Sequence, residues 1–496
     1  MSTPIIDPSP LERPISERPA HGEGGPLGRT GFAWAVFEWA RNPYYILIVI
    51  YIFAPYFARD IIGADLLASG QLDGMEPQAA QATANAQGQA TIASVTKWAG
   101  LVAALTAPFL GAALDRGGRL KPVLAVTLGS IALCSALLWF AMPGGAGLST
   151  PAIMALLVIA YVSYTYSEVT HNAMLSVSGA PGKLSMISGL GLGLGNLAAT
   201  LIFIALVLLF VLPSLIQWPF AEPQFGIDVT SFEHMRIAGP ICAAWLVIFS
   251  IPFFLNAKDP GIPGASWIAA TRSGAKSVMR TFREASHYRE LLKFLVARMF
   301  YQDAMAALLA LGAVYVALFL GWGFLEMLCY AIFASACAFG GGIFGGWLEE
   351  KVGVKRALVI EIVGMIATMI VQLSITRESL FFGLVENSQV WDGLVFRTVS
   401  DLAYLGLISI VAITATASIS ASRTMLVTLA PLGRSGEFFG LYAIAGTITV
   451  WMGPLLVEYF TLWSNDQRIG MASISLLFTI GLAILLTVKV PHRNAA

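Results

Sequence analysis

The amino-acid sequence predicts an all-α, polytopic membrane protein that crosses the bilayer about twelve times, in two pseudo-symmetric bundles of six helices. Three observations predict this architecture. The composition is strongly apolar, the apolar residues form long uninterrupted runs, and a glycine-spaced charged motif occurs once in each half of the chain. A soluble protein of this length shows amphipathic stripes instead of such runs.

The composition places the chain in lipid. Of the 496 residues, 57% are hydrophobic and 12% are charged, and the mean hydropathy is +0.75. Soluble domains carry roughly 25% charged residues, so this chain is too apolar to remain in water. Runs such as Tyr44 to Phe57 and Leu197 to Leu212 are typical of membrane spans. The formal net charge of zero indicates neither a nucleic-acid surface nor a strongly acidic substrate channel.

The cysteines and the first residues carry little chemistry. Cys134, Cys242, Cys329 and Cys337 lie within apolar stretches and form no C-x-x-C pair, so neither disulfides nor a zinc site is predicted. No metal or cofactor is expected. Residues 1–31 are rich in Pro, Gly, Glu and Arg and lack the apolar core of a secretory signal peptide. We expect them to form a disordered cytoplasmic tail.

Windows of about 20 apolar residues, the length that spans a bilayer core, fall into two sets of six. The predicted spans are Trp34 to Ala58, Ile92 to Leu114, Val123 to Met142, Ala152 to Met174, Ser185 to Leu212, Ile237 to Leu255, Phe294 to Phe319, Phe324 to Leu348, Ala357 to Leu373, Leu402 to Met425, Phe438 to Phe460 and Gly470 to Val488. This gives an N-terminal bundle at 32–256, a cytoplasmic linker at 257–293, a C-terminal bundle at 294–489 and a cytoplasmic tail at 490–496. The stretch from Arg59 to Thr91 is predicted to be a long loop.

Basic residues are distributed unevenly between the two sides of the membrane. One side holds Lys258, Arg272, Lys276, Arg280, Arg283 and Arg289 in the linker, Arg116, Arg119 and Lys121 after the second span, Lys351, Lys355 and Arg356 after the eighth, and Lys489 and Arg493 at the end. The opposite loops hold Arg59, Arg236, Arg377, Arg397 and Arg468. The positive-inside rule therefore predicts that both termini and the linker are cytoplasmic.

A charged motif repeats after the second and eighth spans. The first copy runs from Gly111 to Lys121 and reads GAALDRGGRLK, and the second runs from Gly346 to Arg356 and reads GWLEEKVGVKR. Glycine, acid, base, glycine and a final base recur 235 positions apart, although Val354 stands where the first copy has Arg119. The recurrence indicates two related halves.

The first copy resembles the signature of the major facilitator superfamily between its second and third helices, and the second resembles the weaker echo between helices eight and nine. The resemblance implies a cytoplasmic gate motif made of Gly111, Asp115, Arg116, Gly118, Arg119, Lys121, Gly346, Glu350, Lys351, Gly353 and Arg356. Glycine lets two helices approach closely, and an acid facing arginines can latch two helices in one state of a rocking cycle. The alternative is that these charges only set the topology.

A narrower resemblance lies in the segments AWAVFEWARN at 33–42, RMFYQD at 298–303, and Ser422-Arg423 before EFFGLY at 437–442. Together they are similar to the vacuole-effluxer-like branch of the superfamily, whose fungal members are implicated in releasing amino acids from the vacuole. The chain departs from that branch at Glu38, which stands for aspartate, at Arg41, which stands for a small or polar residue, and at Gln302, which stands for asparagine. Alanine and threonine also fill the glutamine and glycine positions that precede Ser422. The resemblance implies the fold and, less directly, an amino-acid substrate.

Ionisable and polar residues inside the predicted spans are the candidates for substrate binding or proton coupling. They are Glu38, Asn42, Glu168, His171, Asn172, Arg298, Tyr301, Asp303 and Arg423. A charge in a span costs a few kcal/mol on insertion scales, so it usually faces a cavity or a partner. All nine fall in helices one, four, seven and ten, the cavity-lining helices that the resemblance implies. A cytoplasmic gate, a substrate or proton site, and snorkelling to the interface all remain open at this point.

The expected function is secondary active transport of a small solute by alternating access, with proton coupling. The candidate solutes are amino acids or related metabolites. The sequence has no H-E-x-x-H or G-x-S-x-G motif and no phosphate-binding loop, so neither an enzyme nor an ATP-driven pump is expected. A channel or a non-transporting sensor remains the alternative. The expected partners are the lipid bilayer, a small-molecule substrate and protons, with no nucleic acid and no obligate protein partner. We expect a bacterial inner (cell) membrane location.

Overall fold

The computed structural model describes residues 27–116, 118–260, 271–272, 274, 276, 288–376, 378–393, 395–431, 434–446, 449, 451–464 and 466–490. Helices make up 81% of these residues, as the apolar runs predict. Most of the predicted tails and of the predicted linker, as well as Gly117 of the first motif copy, lie outside the described residues.

The first half contains six long helices. They are α1 (Gly28–Ala68), α2 (Pro77–Leu114), α3 (Leu120–Leu137), α4 (Thr150–Ala173), α5 (Leu184–Leu206) and α6 (Ala238–Asn256). Helix α5 continues through a π-helical turn at Val207–Val211 and a short α-helical segment at Leu212–Ile216, and a one-turn helix at Glu233–Arg236 precedes α6.

The second half contains seven helices for its six crossings. They are α7 (Arg289–Phe319), α8 (Phe324–Val352), α9 (Val354–Leu373), α10 (Val399–Leu429), α11 (Ser435–Ala445), α12 (Met452–Ser464) and α13 (Gln467–Thr487). The eleventh crossing is divided between α11 and α12. A two-residue antiparallel ribbon, β1 (Ser379–Leu380) with β2 (Val385–Glu386), lies in the connection between α9 and α10.

Ten of the described helices are long and apolar enough to cross a bilayer by length and composition. Helix α9 has 20 residues, about 30 Å of helix, and α11 with α12 completes the eleventh crossing. The predicted twelve-helix architecture is confirmed, and the interruption between α11 and α12 is a feature that the apolar run does not reveal.

The predicted loop from Arg59 to Thr91 is wrong, because most of it is helical. Helices α1 and α2 have 41 and 38 residues, each about 60 Å long, and both therefore extend well beyond a bilayer core. They pass each other closely where Gly88 faces the carbonyl of Ala58, since a Cβ at Gly88 would lie 2.1 Å from that oxygen. Small polar residues hide this segment from a hydropathy window. Helix α1 also begins at Gly28, inside the predicted tail.

The two halves pack together at the end of the bundle that holds both motif copies, here called the motif side. Helices α5 and α8 meet at Gly189 and Gly342, where a Cβ on Gly189 would lie 2.2 Å from the Gly342 carbonyl oxygen. Helices α2 and α11 meet at Gly111 and Gly436, where the corresponding distance is 1.9 Å. Both contacts require glycine, because any side chain would force the backbones apart. The structure is therefore closed on the motif side.

Candidate functional site

A buried network of charged side chains joins the two halves. Arg423 of α10 donates a hydrogen bond from Nη1 to Oε1 of Glu38 on α1 over 3.1 Å. Arg41, one turn along α1, donates Nη2 to both oxygens of Glu38 at 3.0 and 2.8 Å. The Glu38 and Arg423 side chains are each 3% exposed. One carboxylate is thus shared by two guanidinium groups, one from each half.

Glu168 of α4 is the exposed member of the network. Its Oε1 accepts a hydrogen bond from Nη2 of Arg423 at 3.3 Å, and its side chain is 37% exposed. With Glu38, Arg41 and Arg423 it forms a group of two acids and two bases that carries no net charge. Glu168 meets Arg423 on the side of α4 that faces the other half. The Glu168 carboxylate is therefore partly accessible from outside the network.

His171 is held as a packed part of the core. Its ring stacks against Trp34 at 4.1 Å and Phe37 at 4.3 Å between centroids. The Trp34 indole donates to the His171 carbonyl at 2.9 Å, and His171 Nε2 donates to the Trp34 carbonyl at 3.0 Å. Its Nδ1 lies 3.7 Å from Oε1 of Glu38, too far for a hydrogen bond. His171 therefore fixes α1 against α4 and supports the Glu38 position.

Tyrosines line the network on the side away from the motif side. The Arg41 guanidinium lies over the Tyr164 ring at 4.8 Å, and Tyr164 stacks with Tyr45 at 5.8 Å. Asn42 is half-buried beside them on α1, whereas Asn172 is buried at the end of α4 with its Oδ1 lacking a partner within the described chain. Neither tyrosine is among the residues predicted from the sequence, although Tyr164 lies four residues, one helical turn, before Glu168 on α4.

Arg298 and Tyr301 of α7 contact α10 and α11 rather than the charge network. Arg298 stacks on the Tyr442 ring at 3.4 Å and donates Nη1 to the Tyr442 carbonyl oxygen at 2.8 Å. The Tyr301 hydroxyl lies 2.8 Å from Oγ of Ser422, which also accepts a hydrogen bond from the Tyr442 hydroxyl at 3.1 Å. Ser422, next to Arg423, is therefore the centre of a hydroxyl cluster.

Asp303 caps the second part of the interrupted eleventh crossing. Its Oδ2 accepts the Gly453 backbone N–H at 3.0 Å, at the start of α12. Arg298 meets the last turn of α11, so α7 presents a cation to a helix C-terminus and an anion to a helix N-terminus. Both placements match the helix dipoles. Within the described residues Arg298 contacts α11 and forms no ion pair with Glu38 or Glu168.

Asp115 of the first motif copy fastens α2 to α11. Its two carboxylate oxygens accept the backbone N–H groups of Gly436 and Glu437, both at 2.8 Å. These amides belong to the first turn of α11, where the helix dipole favours an anion. The contact requires the glycines at 111 and 436 described above. Asp115 thus forms a polar latch between the halves.

The remaining motif residues fix the loops within and between the halves. The backbone N–H of Lys121 donates to Asp259 and its Nζ donates to the Phe254 carbonyl, at 2.9 and 2.8 Å. In the second copy Glu350 forms an ion pair with Lys183 across the halves at 3.4 Å, and Gly353 ends α8 at φ +84°. The acid of the second copy therefore meets a lysine instead of a helix N-terminus. Arg116, Gly118 and Arg119 lie in the connection between α2 and α3, whereas Lys351 lies at the end of α8 and Arg356 at the start of α9.

Two buried acids in the second half were missed by the sequence analysis. Glu349, at the end of α8, and Glu361, on α9, are 3% and 0% exposed. Neither carboxyl has a hydrogen-bond partner among the described residues. Glu361 lies inside the predicted ninth span. The sequence could therefore have identified it, because an acidic residue within an apolar run marks a candidate functional site.

Comparison with known proteins places the chain among membrane transporters. Residues 178–495 match the family model described as vacuole effluxer Atg22 like. An uncharacterized MFS-type transporter of Bacillus subtilis, YxiO, is 24% identical over 461 residues, which are 91% of this chain and 93% of that protein.

Among solved structures, the human organic anion transporter MFSD10 aligns with a TM-score of 0.66 at 13% identity, covering 93% of this chain and 100% of its own. The transporter FucP in its outward conformation aligns with a TM-score of 0.63 at 14% identity, covering 93% of this chain and 99% of its own. At these identities the structural likeness establishes the fold alone.

Proposed function

The chain belongs to the Atg22-like vacuole effluxer family of the major facilitator superfamily, and from this premise we propose that it is a proton-coupled carrier of amino acids. As a member of that superfamily it is a multi-pass membrane transporter. The substrate, the coupling ion and the orientation are the proposed elements.

The Glu38–Arg423 hydrogen bond is the observation that carries the proposal of alternating access. Glu38 lies in the first half and Arg423 in the second, and both side chains are buried. Opening the motif side must separate the halves and therefore break this pair, together with the Asp115 latch. A polar contact between two rigid bundles that forms in one state and breaks in another is the element that a rocking carrier needs.

Glu168 supports an amino-acid substrate. Its exposed carboxylate oxygen would accept a hydrogen bond from a substrate ammonium group, as would the side-chain carbonyl of the half-buried Asn42. An ammonium group on Glu168 competes with Arg423 for the same carboxylate. Substrate binding would thereby loosen one of the two bonds that hold Arg423 between the halves, and would favour opening of the motif side.

The proposed orientation puts the motif side and both termini in the cytoplasm. The basic residues of the linker and of both motif copies support this orientation. The bacterial relative, which aligns with 91% of this chain, supports a location in the inner membrane of a bacterial cell. The family description refers instead to a vacuole.

The proposal is tested with purified protein in liposomes. Uptake of radiolabelled amino acids is measured with an imposed pH gradient and no other ion gradient, for the unmodified protein, Glu168→Gln and the matched exposed-acid control Glu386→Gln. We expect concentrative uptake that disappears when the gradient is collapsed, and that is reduced at least tenfold in Glu168→Gln only. Uptake that only follows the solute gradient would indicate a channel or an uncoupled carrier. Binding without uptake would indicate a sensor.

A further inference from the structure

The charge network leaves the proton site unassigned. Glu38 faces two guanidinium groups, and so it is already stabilised as a carboxylate on the closed motif side. Asp303 accepts a backbone amide at a helix N-terminus, where an anion is favoured as well. A residue that carries a proton in this conformation should instead be a buried carboxyl without a cation beside it.

Glu349 and Glu361 meet that description. Both are buried, and within the described part of the chain neither carboxyl meets hydrogen-bond geometry with a partner, although hydroxyl groups lie beside Glu349. They lie close enough to interact electrostatically, as do Glu361 and Tyr301. Two like charges at one buried site cannot both be ionised without a large cost. A neutral carboxyl at one of the two positions would avoid this cost while the motif side is closed.

The buried hydroxyl of Ser420 lies beside Glu349 and supports the same assignment. Ser420 of α10 is fully buried, its Oγ has no hydrogen-bond partner among the described residues, and it lies beside the Glu349 carboxyl with Thr424 and Ser185. A hydroxyl rotates to donate to a carboxylate or to accept from a carboxylic acid. Ser420 therefore suits a carboxyl that alternates between its two protonation states.

Glu349 lies at the contact between the halves. Ser185 belongs to the first turn of α5 in the first half. Gly346, one turn before Glu349 on α8, packs against it, because a Cβ at Gly346 would lie 3.1 Å from the Ser185 carbonyl oxygen. Separation of α5 from α8 would expose Glu349 to water, whereas Glu361 stays within the second half. Two further ionisable groups lie near the pair, Tyr301 on the packed helix α7 beside Glu361 and Glu350 next to Glu349 on α8 itself.

We propose that Glu349 and Glu361 form a proton-binding site that is occupied while the motif side is closed and that releases its proton when α5 and α8 separate. The proton binds a carboxylate oxygen as an O–H bond in the closed state, and on opening that bond breaks and the proton passes to water. This inference rests on the proposed proton coupling but places the coupling residue on α8 and α9 instead of α1.

The test measures the conformational equilibrium without substrate, so it does not depend on the proposed solute. Spin labels are placed at Gly182→Cys and Arg289→Cys, two exposed positions on the motif side in different halves, in a background without native cysteines. A side chain at Gly182 meets no atom within 4 Å. The distribution of distances between the two labels is recorded in reconstituted protein from about pH 5 to about pH 9. This interval covers roughly the range in which buried carboxyl groups titrate.

We expect the closed population of the unmodified protein to rise as the pH falls, because the closed state binds more protons. The ratio of closed to open protein should change by up to about tenfold per pH unit for each proton released. In the double variant Glu349→Gln/Glu361→Gln the number of protons released on opening, given by the slope of the closed-to-open ratio against pH, should fall by about one. This variant should remain closed at high pH, since glutamine mimics the neutral acid. Glu349→Asp should retain the dependence, and Glu386→Gln should behave as the unmodified protein.

A double variant that keeps the full pH dependence overturns the proposal, and so does a closed population that falls as the pH is lowered. If the conformational result is as expected but liposomes show no proton-driven uptake, the proton site stands and the proposed transport function fails. If uptake is proton-driven while the double variant keeps its pH dependence, the coupling residue lies elsewhere.

Discussion

Arg423 and Glu38 are 385 positions apart in the sequence, yet Nη1 of Arg423 lies 3.1 Å from Oε1 of Glu38 in a buried hydrogen bond between the two halves. Each partner has a second contact in the first half, since Arg41 holds Glu38 and Glu168 holds Arg423. The pair therefore connects the halves, and each of its two charged groups also has a second partner of opposite charge.

Arg423→Gln should favour opening of the motif side. Removing the guanidinium breaks the only described bond from α10 to Glu38, while Arg41 keeps Glu38 paired and the protein folded. We expect labelling of a cysteine on the motif side to rise at least tenfold, equivalent to about 1.4 kcal/mol. A double-mutant cycle with Glu38→Gln should give a coupling energy of about 0.5–3 kcal/mol. Strictly additive effects would contradict the role of the pair.

Asp115→Asn should weaken the latch to α11 while the protein still inserts in the membrane. Asparagine retains one acceptor oxygen for the Gly436 and Glu437 amides but loses the charge at the helix N-terminus, at a cost of about 1–2 kcal/mol. The measurement is the distance between the spin labels at Gly182 and Arg289. An unchanged distance distribution and transport rate would reduce the motif to a signal for topology.

Gly111→Ala should hold the motif side open. The new Cβ would lie 1.9 Å from the Gly436 carbonyl oxygen, so α2 and α11 must separate. Gly100→Ala on the same helix is the matched control, because a Cβ there meets no atom within 4 Å. We expect the transport rate to fall at least tenfold in the first variant and to change less than twofold in the second. Equal effects would indicate that α2 does not move against α11.

The orientation can be checked by cysteine labelling from outside intact cells. Substitutions at the exposed Asp73 and Asp228 should react with a membrane-impermeant reagent, and those at Lys276 and Arg356 should react only after the cells are opened. The physical reason is the concentration of basic residues on the motif side. Labelling of Lys276→Cys in intact cells would reverse the assignment.

Asp303→Asn should act on stability rather than on coupling. The carboxylate caps α12 through the Gly453 amide, and its loss should cost about 1 kcal/mol in unfolding free energy. Thermal unfolding in detergent measures that loss, and liposome uptake at several pH values measures coupling. A stable protein with altered pH dependence would restore Asp303 as a proton carrier.

The apolar runs and the repeated motif determined the helical membrane fold, since lipid permits few alternatives to spanning helices. The sequence also located Glu38, Glu168 and Arg423, because a charge within an apolar span is rare and expensive. It did not show the helical extension of α1 and α2, whose small polar residues have no hydropathy signal, nor the interruption between α11 and α12.

Only the tertiary structure decided which charges meet. Glu38, Asp303 and Arg298 are alike in sequence as charges within spans, yet the first joins a network across the halves and the other two contact the ends of α11 and α12. Asp115 and Glu350 hold equivalent positions in the motif but contact a helix N-terminus and a lysine, respectively. Pairings of this kind depend on distances between residues that are hundreds of positions apart, and a local pattern of residue types does not contain those distances.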